Sequence, residues 1–296
     1  MFHVQGHRGA RAVHPENTLP SFEAAFDVGV SSIETDLHLT RDGVIVLHHD
    51  AALDSHPDAL LRHLSLLDLR RHRADRNPDP QRFPSQRSNV TPLAARFAER
   101  HGIDPYGIPT LSELYQFTEN YAGELGEQLG KSAWQRQRAR ELRFDLELKR
   151  VPFYPETIGD GFDGTKPGLL EERLVETVRQ ARAVMRTTVR SFDHRCVRLL
   201  RRMEPGFTGA VLIAETAPVA PAELVERAEA SIYCPDYQFV DADIVRQVRA
   251  TGAQVLPWTV NHPEHWQRLI DWGVTGITTD MPESLGVYLR ERGIEY

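Results

Sequence analysis

The sequence predicts an α/β protein folded as a (β/α)8 TIM-type barrel, on three observations. Short apolar runs rich in β-branched residues alternate with amphipathic stretches, the signature of a repeating strand–helix fold. The 296 residues exceed the usual single domain but suit one barrel of roughly 200 to 250 residues carrying insertions. Carboxylates and histidines stand at the ends of several apolar runs, where barrel enzymes place their chemistry.

The candidate strands are Phe2–Gly6, Ser32–Asp36, Val44–His48, Leu142–Lys149, Thr187–Ser191, Thr208–Ala214, Ala230–Cys234, Gln254–Val260 and Gly276–Thr279. Nine candidates compete for eight places. Ser32–Asp36 and Val44–His48 are too close for a helical crossover, which takes a dozen or more residues. An irregular early connection is therefore expected there, either an extended return or a small hairpin around Arg41-Asp42-Gly43.

Helices are read from caps and apolar faces. Thr18 caps one with Pro20 in its first turn, and Leu19, Phe22, Ala25 and Phe26 share a face. Leu170, Leu174, Val178 and Ala181 mark another. Asp241–Thr251, Pro263–Trp272 and Pro282–Arg292 supply late outer helices, and Gly252 and Gly273 end two of them. The pattern breaks between Asp50 and Leu142, so one domain spanning residues 1–296 is expected to carry an inserted cap at about 51–141. Short helices near Leu93–Arg100, Ser112–Asn120 and Leu125–Arg140 are expected in it, over the catalytic mouth.

Composition narrows the function. The formal charge of −7 and the absence of a basic stripe argue against a nucleic-acid partner. Cys196 and Cys234 are too few for a disulfide framework and lack zinc-like spacing. No apolar run reaches the roughly 18 residues of a membrane span, and His7 stands too early for a signal peptide to precede it. A cytoplasmic protein without an integral membrane segment is expected.

Glu34 and Asp36 lie two apart on a candidate strand, so both carboxylates point to one face. Glu147 stands near the end of another. Oxygen ligands from separate strand ends suit a hard divalent cation, Mg²⁺ or Ca²⁺. Their neighbours Ile33, Leu37, Leu146 and Leu148 are apolar, and carboxylates in such surroundings need a metal or a base. His7 and His49 each end an apolar run, and an imidazole moves protons in either direction near neutrality. Alternation puts Ile45, Leu47 and His49 on one face, the barrel interior if His49 is catalytic, and turns His48 to the helices. Lys149, one of only three lysines, shares a strand face with Glu147 and offers a compact charge to a phosphate oxygen.

Together, His7-Arg8-Gly9, Glu16-Asn17-Thr18, Glu34-Thr35-Asp36, Asp42-Gly43 followed by Val44–Asp50, and Glu147-Leu148-Lys149 resemble the glycerophosphodiester phosphodiesterase family in order and spacing. Ser191-Phe192-Asp193, Trp258-Thr259-Val260-Asn261 and Gly276-Ile277-Thr278-Thr279-Asp280 are similar to its later segments. The resemblance implies a divalent metal on Glu34, Asp36 and Glu147, with His7 and His49 as the acid/base pair. It further implies that Arg8 and Lys149 contact phosphate, that Glu16 and Asn17 orient metal ligands or substrate, and that Trp258 lines the glycerol side. The substrate implied is a small glycerophosphodiester, cleaved to glycerol phosphate and an alcohol. After Asp50 the stretch Ala51–Pro57 lacks the family's Arg-Thr-Thr-like continuation, and the segments 77–92 and 152–168 look like elaborations, which points to an unusual leaving-group side. Two rivals remain: a lysophospholipase D-like activity, and a barrel that binds metal or phosphate without turnover.

Overall fold

The computed structural model describes residues 1–53, 56–77 and 79–296. Asp54 and Ser55 of the divergent stretch after Asp50, and Pro78 of the polar segment beyond it, lie outside the described residues. Eight parallel strands form the wall: β1 (His3–His7), β2 (Ser32–Leu39), β3 (Arg143–Leu148), β4 (Thr187–Ser191), β5 (Thr208–Ile213), β6 (Ile232–Pro235), β7 (Gln254–Val255) and β8 (Gly276–Thr279). Their order is β7-β6-β5-β4-β3-β2-β1-β8. The wall closes between β7 and β8, where the Thr275 and Thr278 amides donate to the carbonyls of Val255 and Pro257, each at 3.0 Å. This is the (β/α)8 barrel that the alternation predicted.

The ninth candidate, Ile45–Leu47, lies outside the wall. It folds back antiparallel on β2, with Leu37 opposite Leu47 and Leu39 opposite Ile45. The turn closes through Gly43, whose φ of 75° is the left-handed conformation glycine adopts without strain. This pairing also lengthens β2 beyond the predicted Asp36. The alternation survives but its meaning changes: Ile45 and Leu47 join the main core, whereas Val46 packs with Leu53, Leu61, Leu69 and Ile108 in a satellite cluster. Neither face is the barrel interior, because a short antiparallel return cannot occupy a parallel strand's place.

The first helix, α1 (Leu19–Val28), begins where Thr18 Oγ1 accepts the Ser21 amide at 3.4 Å and ends at Gly29 with φ 76°. Leu19, Phe22, Ala25 and Phe26 are all buried. The late helices occupy Ala242–Ala250, Pro263–Asp271 and Pro282–Glu291, and Gly252 and Gly273 follow two of them at φ 86° and 85°. Leu170, Leu174 and Val178 are buried on the helix Leu169–Gln180, while Ala181 just past its end is half-buried.

The stretch read as an inserted cap divides in two. Its helices Pro92–His101, Leu111–Ala122 and Ala133–Glu141 complete the outer layer beside α1. The Phe26 ring lies 5.9 Å from Phe117 and 5.2 Å from Tyr121, and Tyr115 meets Phe144 of β3 at 4.6 Å. Buried Glu23 of α1 accepts the Leu93 and Ala94 amides at 3.2 and 3.0 Å and meets Lys131 at 2.7 Å. These helices have wide apolar faces, and a barrel wall is where such faces are buried. The part before Pro92 reaches the loop after β1 at the mouth. There Gln86 donates to the Arg11 carbonyl at 2.6 Å and the Arg87 amide to that of Val13 at 2.7 Å.

Phe117 is fully buried, so Phe117→Ala is expected to cost about 3–5 kcal/mol in chemical denaturation, the range for a large core truncation. A cost below roughly 1 kcal/mol, ordinary for a peripheral site, would show that this helix does not belong to the core.

Candidate active site

Strand register assembles the site. In parallel pairing, His7 of β1 stands beside Glu34 of β2, and Asp36 of β2 beside Glu147 of β3. Residues two apart share a face, so Glu34, Asp36 and Glu147 converge at the carboxyl end of the barrel, and their nearest oxygens lie within 4.8 Å of one another. All three side chains are buried.

Cations and amides surround this cluster. The Arg8 guanidinium approaches Asp36 at 3.0 Å and Glu16 at 2.8 Å. The Lys149 ammonium lies 2.9 Å from Glu147 and 3.4 Å from Asp36. Asn17 donates from its amide to Asp36 at 2.9 Å and accepts from the Thr35 hydroxyl at 2.7 Å. Arg8 and Asn17 hold φ of 53° and 54°, a region that costs a side-chain-bearing residue roughly 1–2 kcal/mol. The loop between them tolerates this because Ser21 donates to the Arg8 carbonyl at 2.9 Å and accepts the Ala10 amide at 3.0 Å. Gly9 packs against Ser21 so closely that a Cβ would fall 2.5 Å from its Oγ.

The electrostatics are unbalanced. Burial, reinforced by the charge of Asp36, pushes the Glu34 carboxyl well above the usual range. Burial would raise Asp36 as well, but Arg8, Lys149 and His49 outweigh it and hold that carboxyl well below. Among the described residues Glu34 Oε1 is buried without a hydrogen-bond partner, and Asp36 Oδ1 has only the Lys149 ammonium at 3.4 Å. Buried lone pairs of this kind call for a ligand, and a three-carboxylate donor set fits a hard divalent cation.

His7 sits at the rim of the cluster. Its Nδ1 lies 2.6 Å from Asp280 Oδ1, and its Nε2 faces Glu34 at 3.8 Å. Burial and the charge of Arg8 lower its pKa, against the pull of Asp280. His49 is half-buried, with Nδ1 bonded to Asp50 at 2.7 Å. Its backbone carbonyl is held by His38 at 3.2 Å. His48 is lowered in pKa mainly by burial, its amide donates to the Asp36 carbonyl at 3.1 Å, and its ring lies edge-on to His72. Trp258 stands beyond β7, its indole donating to the Cys234 carbonyl at 2.9 Å and its ring edge-on to Phe192.

Sequence reasoning assigned no role to Asp280, Asn261, Arg82 or Arg190. Asp280 ends β8 and could have been flagged as a carboxylate at a barrel strand end. Arg190 is buried inside the barrel beneath Glu34, 3.0 Å from the side-chain amide oxygen of Gln5 and 3.3 Å from Asp145. Alternation marks the polar face of such a strand, as in Arg143-Phe144-Asp145-Leu146-Glu147-Leu148, but it carries no information on which residues of distant strands meet across the barrel.

The mouth of this parallel barrel gathers three carboxylates, two cations and a carboxylate-bonded histidine, a charged polar site of the kind barrel enzymes build at their strand ends. The chain belongs to the glycerophosphoryl diester phosphodiesterase family, which it matches over residues 7–284. It is 25% identical over 293 residues to the glycerophosphodiester phosphodiesterase of Caldanaerobacter subterraneus subsp. tengcongensis, covering 98% of each chain. The crystal structure of a Silicibacter pomeroyi protein described as a putative glycerophosphoryl diester phosphodiesterase superposes with a TM-score of 0.79 at 26% identity, covering 100% of this chain and 95% of that one. An Oleispira antarctica phosphodiesterase, solved with the product sn-glycerol-3-phosphate, shares the fold with a TM-score of 0.70 at 21% identity, covering 97% and 96% of the two chains.

His38 gives the site a pH dependence in stability. It is buried, and burial lowers its pKa to about 3. In the unfolded chain it titrates near about 6.5. The native state therefore binds fewer protons between these values, and the contribution of neutral His38 is present above pH 6.5 and lost as pH falls toward 3. His38→Gln is expected to flatten the decline of stability on acidification across that window, measured by denaturant midpoints. An unchanged slope would contradict a buried neutral His38.

Proposed function

We propose that this chain hydrolyses glycerophosphodiesters to glycerol phosphate and an alcohol, with Glu34, Asp36 and Glu147 holding a divalent metal and His7 and His49 transferring protons. The observation that carries this reading is the convergence of three buried carboxylates, with Glu34 Oε1 left without a hydrogen bond, beside a carboxylate-bonded histidine. Bound there, Mg²⁺ or Ca²⁺ would supply Lewis-acid neutralisation of the phosphate charge.

The chain's own residues do the rest. Arg8 and Lys149 offer positive charge to the non-bridging phosphate oxygens. Glu16 and Asn17 keep Arg8 and Asp36 in place, and Trp258 lines the glycerol side. One histidine removes the proton of the attacking hydroxyl as the phosphorus–oxygen bond forms. The other donates a proton to the departing alkoxide as the opposite bond breaks. When the glycerol 2-hydroxyl is the attacking group, a cyclic phosphate results, and water opens it with the proton roles reversed.

A second reading, lysophospholipase D-like hydrolysis, draws on the loop after β3, where Phe153 and Tyr154 are 86% and 61% exposed. Exposed aromatic side chains suit contact with an acyl chain. The mouth segment before Pro92 is assigned the choice of alcohol group, so replacing it should reorder substrates more than it changes metal affinity.

Protein stripped of divalent ions and resupplied with single metals, assayed on a panel of glycerophosphodiesters and lysophospholipids, tests both readings. Activity should vanish and return with the metal, and the substrate ranking decides between the readings. Undiminished turnover after stripping would contradict the metal assignment. His7→Gln and His49→Gln should each lose about 10²- to 10⁴-fold in kcat. A nitrophenyl ester should partly rescue whichever variant lacks the proton donor to the leaving group.

A further inference from the structure

We propose that Asp280 is a positioning residue that fixes the tautomer of His7, so that Nδ1 carries the proton and Nε2 is the atom that works at the carboxylate cluster. This rests on the reading of His7 as a proton-transfer residue. The carboxylate is itself held on both oxygens. Oδ1 meets His7 Nδ1 at 2.6 Å, while Oδ2 accepts from Asn261 Nδ2 at 2.6 Å and from Arg82 Nη2 at 3.0 Å. The Asp280 amide donates to Asn261 Oδ1 at 2.9 Å, and the Thr279 hydroxyl donates to the same oxygen at 3.0 Å, so Asn261 cannot turn its amide around without losing both. Burial would raise the Asp280 carboxyl, but His7, Arg11 and Asn261 hold it well below its ordinary value. An ionised carboxylate only accepts, so the proton of neutral His7 belongs on Nδ1. The Nε2 lone pair is then directed toward Glu34 and the mouth.

Arg82 comes from the segment before Pro92. Its guanidinium lies 5.0 Å from the centre of the buried Phe83 ring, and that of Arg11 lies 5.2 Å from the same ring. The excursion between β2 and β3 thus reaches the orientation of His7 through one hydrogen bond.

The geometry makes Asp280→Asn informative. The two donors on the Oδ2 side, Asn261 and Arg82, select the amide oxygen of the new side chain. The amide nitrogen then occupies the Oδ1 position and donates to His7 Nδ1, since Arg11 at 3.9 Å is too distant to hydrogen-bond an oxygen placed there. A shape-conserving change therefore moves the His7 proton to Nε2, the wrong tautomer for a base at that atom, as when the aspartate of a Ser-His-Asp triad becomes asparagine.

Long-range proton–nitrogen NMR of histidine-labelled protein at neutral pH, with the His7 signal assigned by its absence in His7→Gln, reads the tautomer directly. The parent should show a protonated Nδ1, and Asp280→Asn a protonated Nε2. The variant should lose about 10²- to 10⁴-fold in kcat while metal affinity by calorimetry stays at the parental value. A parent protein carrying its proton on Nε2 overturns the assignment with no variant needed. So does an Asp280→Asn protein within about threefold of parental kcat when His7→Gln is slow, a difference of well under 1 kcal/mol in the barrier. If His7→Gln itself turns over at the parental rate, the proton-transfer reading of His7 falls and the assignment of Asp280 falls with it.

Discussion

Three carboxylates forced together in a buried place dominate this structure. Register alone brings Asp36 beside Glu147 and sets Glu34 one step below them, and like charges at such range repel strongly when water is excluded. Their surroundings are arranged to contain that repulsion. Arg8 and Lys149 compensate Asp36 and Glu147 from the mouth. Arg190 compensates Glu34 from below, through the network it forms with Gln5 and Asp145. Glu34 remains the least satisfied and the most inclined to hold a proton. A divalent cation would replace that proton and complete the set, which links the polar barrel interior to the chemistry at its mouth.

The same constraint accounts for local features that are otherwise costly. Left-handed backbone at Arg8 and Asn17, and glycine packed against Ser21, bend the first strand–helix loop so that one residue donates to Asp36 and another spans Asp36 and Glu16. Strain held by a rigid frame is how a site keeps side chains where free chains would not put them. α1 supplies that frame, and the helices between Pro92 and Glu141 brace it by burying Phe22 and Phe26.

Much of this was legible in the sequence. Every candidate segment contains a strand, although Gln254–Val260 is one only at Gln254–Val255, because β-branched runs and helical periodicity report which surface is buried. Glu34 and Asp36 were placed by period-two alternation, and Thr18 by cap chemistry. What misled was context. The apolar run at Val44–Leu47 reads like a barrel strand, but its place in the sheet depends on the length of the preceding turn and not on its own composition. The helices after Pro92 follow an irregular polar segment and so resemble a cap in sequence, although their apolar faces call for a wall to cover. Asp280 escaped notice because its partner, His7, is almost the whole chain away, and single-sequence patterns report neighbours in the chain rather than in space.

We propose that Glu34, Asp36 and Glu147 form one cation site. Crystals grown with Mn²⁺ and measured at its absorption edge test it most directly. One strong anomalous peak is expected, with oxygens of all three side chains about 2.0–2.6 Å away. No peak at the mouth, or a peak that Glu147 does not approach, would contradict it.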